Sequence, residues 1–288
     1  MKELISGSTQ ICAVIGDPVE HSLSPCMHNA AYQALKLDFA YVAFHVKNVG
    51  KAMEGMRGLG IRGLSVTIPH KVEVMQYLDE IAPLAKRIGA VNTVTNENGR
   101  LLGANTDGFG ALNAIEEHEN VDGKSIVFLG VGGAARGVGF TIACERSPKN
   151  IIFAYRDEDR DMADGLINDL HPHTSVPIYT SSLKPVELKE AITTADVIIN
   201  TTPIGMSPHV NECLVDESLL SERHLVFDVI YNPAKTLLLQ RAERRFARII
   251  NGVPMFVNQG AEQFRLWTGQ EPPVDVMHEA VKNALERR

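Results

Sequence analysis

The strand-forming run that begins at Lys124 leads straight into Gly130-Val131-Gly132-Gly133-Ala134-Ala135, and this junction constrains the fold more than any other part of the chain. It has the G-x-G-x-x-G/A form. Glycines there allow a tight turn out of a strand and let backbone N–H groups approach a pyrophosphate at the start of the following helix. An ordinary tight turn is the alternative reading, and the flanking strand and helix weigh against it.

Around that junction, short β-rich runs alternate with helical patterns. Ahead of it come strands at Ile11 to Ile15, Ala40 to Val46 and Ile61 to Val66, with helices at Pro25 to Leu37 and Val49 to Leu59. Val91 to Thr95 and Arg100 to Ala104 flank Asn98-Gly99, a dipeptide suited to a type I′ hairpin turn. A helix from Asp107 to about Glu119 follows. Further strands at Asn150 to Tyr155, Asp196 to Asn200 and Leu225 to Ile230, then helices at Met255 to Trp267 and Val274 to Arg287, complete the pattern. Such alternation predicts an α/β protein with parallel sheets. At 288 residues it suits two domains, and the polar stretch near Thr106 marks a boundary.

Composition narrows the function. Twenty-eight basic against thirty-five acidic residues leave a formal charge of −7, which argues against a nucleic-acid surface. Arg241, Arg244, Arg245 and Arg248 read as a solvated helix face. No apolar run reaches the roughly 20 residues of a membrane span, and the start lacks a signal-peptide core. Cys12, Cys26, Cys144 and Cys213 show neither CxxC nor zinc spacing, and the ten histidines form no metal pattern. The expectation is a cytoplasmic enzyme without a metal.

Ser65-Val66-Thr67-Ile68-Pro69-His70-Lys71 places a hydroxyl and a primary amine four residues apart where a strand ends. With Pro69 at the first helical position, Lys71 would stand in the first turn, where the helix dipole lowers a lysine pKa toward the range of a general base. A plain surface lysine is the competing reading.

Six ordered segments resemble the shikimate dehydrogenase family. They are Gly16-Asp17-Pro18-Val19-Glu20-His21-Ser22-Leu23-Ser24-Pro25-Cys26-Met27-His28-Asn29, Val66 to Lys71, Gly89 to Thr93, Gly103 to Gly108, the glycine loop, and Gln259-Gly260-Ala261 leading to Phe264 and Trp267. Together they span Gly16 to Trp267. The resemblance implies reversible reduction of 3-dehydroshikimate to shikimate by a nicotinamide cofactor, on the route to chorismate and the aromatic amino acids. It also implies a substrate domain formed by residues 1–106 with 252–288, a Rossmann domain at 107–251, and an active site in the cleft between them.

Residue by residue, the resemblance makes Lys71 and Asp107 the catalytic pair. Ser22 and Ser24 would hold the substrate carboxylate, while Thr67, Asn92 and Gln259 hydrogen-bond the ring hydroxyls and Tyr231 lies beside the substrate. Local readings compete at several of these positions. Asp107 could cap the helix that follows it, Ser24-Pro25 is a good capping pair, more so than Ser22, and Tyr231 could be a packed aromatic. The cofactor would lie against Gly130, Val131, Gly132, Gly133, Ala134, Ala135, Tyr155, Arg156, Asp157, Arg160, Thr201 and Gly252. Arg156 and Arg160 favour the 2′-phosphate of NADP, whereas Asp157 favours the ribose diol of NAD or caps a helix. NADP is the expectation, with NAD or dual use as the alternative. Ser65 replaces the family's usual asparagine, so altered hydrogen bonding around Thr67 is expected. Quinate or aminoshikimate dehydrogenation and a non-catalytic dinucleotide sensor are the rival functions. The partner is a small molecule, for a monomer or homodimer.

Overall fold

A computed structural model describes residues 5–287. They divide into two compact units, one running to Thr106 and resuming at Val257, the other spanning Asp107–Phe256.

The first unit opens with β1 (Gln10–Gly16), α1 (Ser24–Ala34), β2 (Phe39–His45), α2 (Val49–Leu59) and β3 (Gly63–Val66). β4 (Glu80–Ile81), α3 (Pro83–Ile88), β5 (Thr93–Glu97) and β6 (Arg100–Ala104) follow. Local chemistry sets several boundaries. Asn48 caps α2 by accepting from the Lys51 N–H, and Gly60, at φ 66°, ends it in the left-handed conformation. Asn98 and Gly99, both at positive φ, make the tight turn between β5 and β6 that their identities predict. The sheet order is β2-β1-β3-β5-β6-β4. Only the β3–β5 and β5–β6 ladders are antiparallel, so β5 alone runs against the others.

The second unit runs α4 (Asp107–Glu116), β7 (Ser125–Leu129), α5 (Gly133–Glu145), β8 (Asn150–Tyr155), α6 (Arg160–Leu170), β9 (Ile178–Ser182), α7 (Pro185–Thr194), β10 (Val197–Asn200), β11 (Leu225–Asp228), α8 (Leu237–Arg244) and β12 (Arg248–Ile250). Its sheet order is β12-β11-β10-β7-β8-β9, with every ladder parallel. Numbered within the unit, this is the 3-2-1-4-5-6 order of the doubly wound dinucleotide fold, and the order reverses between β7 and β10. The inner strands β7, β10 and β11 are buried along their whole length and read as mostly apolar runs, as Ser125–Leu129 and Val197–Asn200 illustrate.

α9 (Gly252–Thr268) starts in the second unit and finishes in the first, where α10 (Val274–Glu286) packs on α1. Trp267 near its end is fully buried. Its indole donates from Nε1 to the Val94 carbonyl at 3.1 Å and lies flat against Gly63, where a β-carbon would fall 2.4 Å from the ring.

One expected element is absent. Residues 68–72 form turns, and only a short 3₁₀ segment, Glu73–Tyr77, follows. The His70 N–H closes onto the Thr67 carbonyl, and the buried His70 ring bonds the Val46 carbonyl at 2.6 Å, so a tertiary contact displaces the helix that Pro69 invites. Lys71 is therefore not seated on an α-helix dipole.

Candidate active site

In the first unit, the matched residues gather at the edge of the sheet where β1, β3 and β6 end and β5 begins. Parallel strands leave backbone groups and loop residues convergent at their carboxyl ends, the usual location of ligands in α/β sheets. Ser22 and Ser24 follow β1; Thr67 and Lys71 follow β3. The Thr67 N–H bonds the Ile15 carbonyl, and a β-carbon at Gly16 would lie 2.5 Å from the Thr67 methyl, so glycine there lets the two loops touch. The Lys71 carbonyl accepts from the Val91 N–H, which ties the lysine turn to the loop carrying Asn92.

The serines reverse their local expectation. Ser24 is the first residue of α1, whose N-cap is Leu23 without a side-chain cap, and it is Ser22 whose Oγ accepts the Ser24 N–H at 3.2 Å. An acceptor role leaves the Ser22 O–H as a donor. Ser24 is buried near Tyr41. Asn29, later in the same motif, clamps α1 to β2 by accepting the Tyr41 N–H and donating to the Tyr41 carbonyl.

Asn92 is buried, and its Oδ1 accepts from the Thr106 N–H at 2.8 Å and from the Thr93 hydroxyl at 2.6 Å. Asp107 follows Thr106 directly and is the first residue of α4. Its neighbour Gly108 is obligatory, since a β-carbon there would fall 1.9 Å from Thr141 Oγ1 on α5. Gln259 is buried on α9. Tyr231 lies in the second unit, its ring 5.4 Å from that of Phe256, which agrees with the packed-aromatic reading. Ser65 does not act on Thr67 as expected. Its buried hydroxyl donates to Gln263 Oε1 at 2.7 Å and accepts from Tyr41 at 2.6 Å. Beneath this layer His28 stacks on Tyr41 at 4.4 Å, with neither ring nitrogen hydrogen-bonded. Burial pushes its pKa down to about 3, against a smaller upward effect of the adjacent Gln263 amide.

The second unit holds the glycine loop at the reversal of strand order. The Gly130 N–H bonds the Ala154 carbonyl, and with φ at 100° and a β-carbon position 2.8 Å from the Thr202 methyl, this residue can only be glycine. Thr201 Oγ1 donates to the Leu129 carbonyl at 2.8 Å, bracing the loop from β10. Gly132 and Gly133 face open space, and α5 begins at Gly133 with neither a side-chain cap nor an acidic residue in its first turn. That cradle fits a pyrophosphate, whose charge would meet the positive end of α5 and the loop N–H groups. Val131, Ala134 and Ala135 complete it.

After β8, Tyr155 carries the Arg160 guanidinium over its ring at 5.5 Å. Arg156 pairs with Asp159 at 2.8 Å and Glu158 at 3.1 Å, while Asp157 pairs with Lys184 at 2.7 Å. Asp157 opens a 3₁₀ turn whose N-cap position is Arg156, so it does not act as a helix N-cap. Gly252 opens α9, and a β-carbon there would fall 2.2 Å from the Val229 carbonyl oxygen, so its identity is set by close backbone approach. Among the described residues, no cluster of His, Cys, Asp and Glu could hold a metal, and no helix is long and apolar enough to cross a membrane.

Comparison with known proteins agrees with this geometry. The family model for the shikimate dehydrogenase substrate binding domain matches residues 14–94, and that for the shikimate 5'-dehydrogenase C-terminal domain matches residues 252–282. A shikimate dehydrogenase (NADP(+)) of Methanothermobacter thermautotrophicus is 42% identical over 99% of this chain and 100% of its own. A crystal structure of a shikimate dehydrogenase with NADP+ superposes with a TM-score of 0.88 at 43% identity, covering 98% of each chain. The shikimate 5-dehydrogenase of Listeria monocytogenes, solved with shikimate and NAD, gives 0.92 at 35% identity over 97% of this chain and 98% of its own. With its parallel sheet, glycine cradle and ordered polar segments, the chain belongs to the shikimate dehydrogenase family.

Proposed function

We propose that this chain catalyses the reversible NADP(H)-dependent reduction of 3-dehydroshikimate to shikimate, acting in the cytoplasm as a monomer or homodimer. The observation that carries this reading is the convergence of Ser22, Ser24, Thr67, Lys71 and Asn92 at one edge of the first sheet, in a chain whose second unit has a strand order and a glycine loop that suit a dinucleotide. A nicotinamide dinucleotide, when bound, would supply the hydride for the ring carbonyl or accept it from the alcohol.

The chain's own residues supply the rest. Ser22 and Ser24 donate to the substrate carboxylate, Ser22 being turned toward donation because its oxygen already accepts the Ser24 N–H. Thr67, Asn92 and Gln259 hydrogen-bond the ring hydroxyls; an analogue lacking one would leave a buried amide unmatched, which is costly. Lys71 Nζ gives a proton to the oxygen as the carbonyl becomes an alcohol and receives it in reverse, and Asp107 orients it. Tyr231 borders the substrate. Gly130 to Ala135, Tyr155, Thr201 and Gly252 would hold the dinucleotide. Arg156 and Arg160 would meet a 2′-phosphate, and ion pairs offset the neighbouring carboxylates, Asp157 with Lys184 and Glu158 and Asp159 with Arg156.

Formation of NADPH from NADP and shikimate, followed at 340 nm, tests the reaction, with NAD and quinate as comparison substrates. Lys71→Ala is expected to lower kcat by a factor on the order of 10² to 10⁴. Near-normal turnover would remove Lys71 from the chemistry.

A further inference from the structure

A continuous line of side-chain hydrogen bonds runs through the interior of the first unit and ends on Asn92. Tyr41 Oη and Ser65 Oγ are 2.6 Å apart, Ser65 Oγ and Gln263 Oε1 2.7 Å, Gln263 Nε2 and Thr93 Oγ1 3.0 Å, and Thr93 Oγ1 and Asn92 Oδ1 2.6 Å. All five side chains are buried. The four that lead to Asn92 come from β2, β3, α9 and β5, so the line ties four elements to one amide.

Two backbone groups fix the direction of every proton in it. The Asn92 carbonyl lies 3.4 Å from the nearer end of Gln263 and can only accept, so that end is the amide nitrogen and Oε1 faces Ser65. Ser65 must then donate to Gln263, and it has only an acceptor left for Tyr41. At the far end the Thr106 N–H can only donate, so the Asn92 atom it meets is Oδ1. Thr93 accepts from Gln263 and therefore donates to Asn92. Donors point one way throughout, an arrangement in which each bond polarises the next.

Thr93 and Thr106 together load Asn92 Oδ1, while Nδ2 donates to Thr106 Oγ1 at 3.0 Å. Drawing electron density toward Oδ1 makes the Nδ2 hydrogens better donors and denies the amide its flipped orientation. Ser65 in this line is the residue that departs from the family's asparagine, and Gln263 stands one helical turn beyond Gln259 on the same face of α9.

We propose that Ser65, Gln263 and Thr93 are positioning residues that act through Asn92, holding its amide as a hydrogen-bond donor toward the substrate ring. The inference rests on the reading of Asn92 as a substrate contact. A double-mutant cycle under steady-state assay with shikimate and NADP separates the two. Gln263→Leu in the wild-type background is expected to lower kcat/KM for shikimate roughly 10- to 100-fold with the KM for NADP unchanged, while in an Asn92→Ala background it should cost less than about 2-fold more. An equal loss in both backgrounds would show that Gln263 acts on the fold or on another group, and would overturn the proposal. If Asn92→Ala itself keeps wild-type kinetics, the contact reading falls, and the proposal with it. Thr93 serves as an independent break should Gln263→Leu fold poorly. Thr93→Val removes the hydroxyl at constant shape and should reproduce the loss; Thr93→Ser should restore activity to within about 3-fold. Wild-type kinetics for Thr93→Val would count against the line.

Discussion

His28 is buried, stacked on Tyr41 and lacking a hydrogen-bond partner at either nitrogen, so protonating it in place is strongly opposed. Its pKa falls from 6.5 to about 3 on folding. Because the folded value is the lower one, the linked stability is fully present above pH 6.5 and is lost as pH falls toward 3, when the unfolded chain takes a proton that the folded chain refuses. With one pKa unit equal to about 1.4 kcal/mol, the loss is on the order of 1 kcal/mol near pH 5.5 and on the order of 3 kcal/mol near pH 4.5. Other groups titrate in this range, so the measurement is a difference. His28→Phe keeps the ring stack and cannot take a proton. Urea unfolding of both proteins, read from Trp267, the single tryptophan, reports on the unit that holds His28. The wild type should lose on the order of 3 kcal/mol relative to the variant between about pH 7.5 and pH 4.5. A difference that stays flat within about 0.5 kcal/mol across that range would refute the claim that His28 is held neutral by burial.

Two further outcomes follow from contacts elsewhere. Gly63→Ala would drive a methyl 2.4 Å from the Trp267 indole, which cannot slide because Nε1 is bonded to the Val94 carbonyl; thermal or urea unfolding should show a loss on the order of 1–3 kcal/mol, and a neutral result would mean that the ring has room to move. Arg156→Ala should raise the KM for NADP at least about 10-fold while barely changing that for NAD, and equal effects on both cofactors would mean that Arg156 does not meet the 2′-phosphate.

What the sequence revealed was governed by neighbours along the chain. The alternation of runs, the Asn98-Gly99 turn, the helix Val49–Leu59 and the glycine loop obey short-range rules, and they stand where those rules put them. The elements between β8 and β10, namely α6, β9 and α7, have mixed polar and apolar patterns, and only packing on the second sheet makes them definite. Pro69 shows the opposite failure. A good local helix signal lost to the tertiary bond between His70 and Val46. The candidate site was readable as separate motifs, but its supporting layer was not, because Gln263 meets Ser65 across 198 residues. Its one hint was the spacing of four between Gln259 and Gln263 on a single helix face. The serines were readable as a pair, yet which of them takes the backbone N–H depended on α1 starting one residue earlier than the Ser24-Pro25 capping pair suggests.

The first unit is assembled from the two ends of the chain, and this shapes its birth on the ribosome. The stretch Asp107–Phe256 emerges as one continuous piece and can complete its sheet while synthesis continues. Gly63, by contrast, presents its bare face for about 200 more residues before Trp267 arrives to cover it, a delay of about 10–40 s at ordinary elongation rates. During that interval α1 and α2 can already cover part of β1, β2 and β3, while Gly63 waits for α9 and the outer side of α1 for α10. Vectorial synthesis thus completes the dinucleotide unit first, leaving the early strands as the part of the nascent chain most exposed to chaperones and to mispairing.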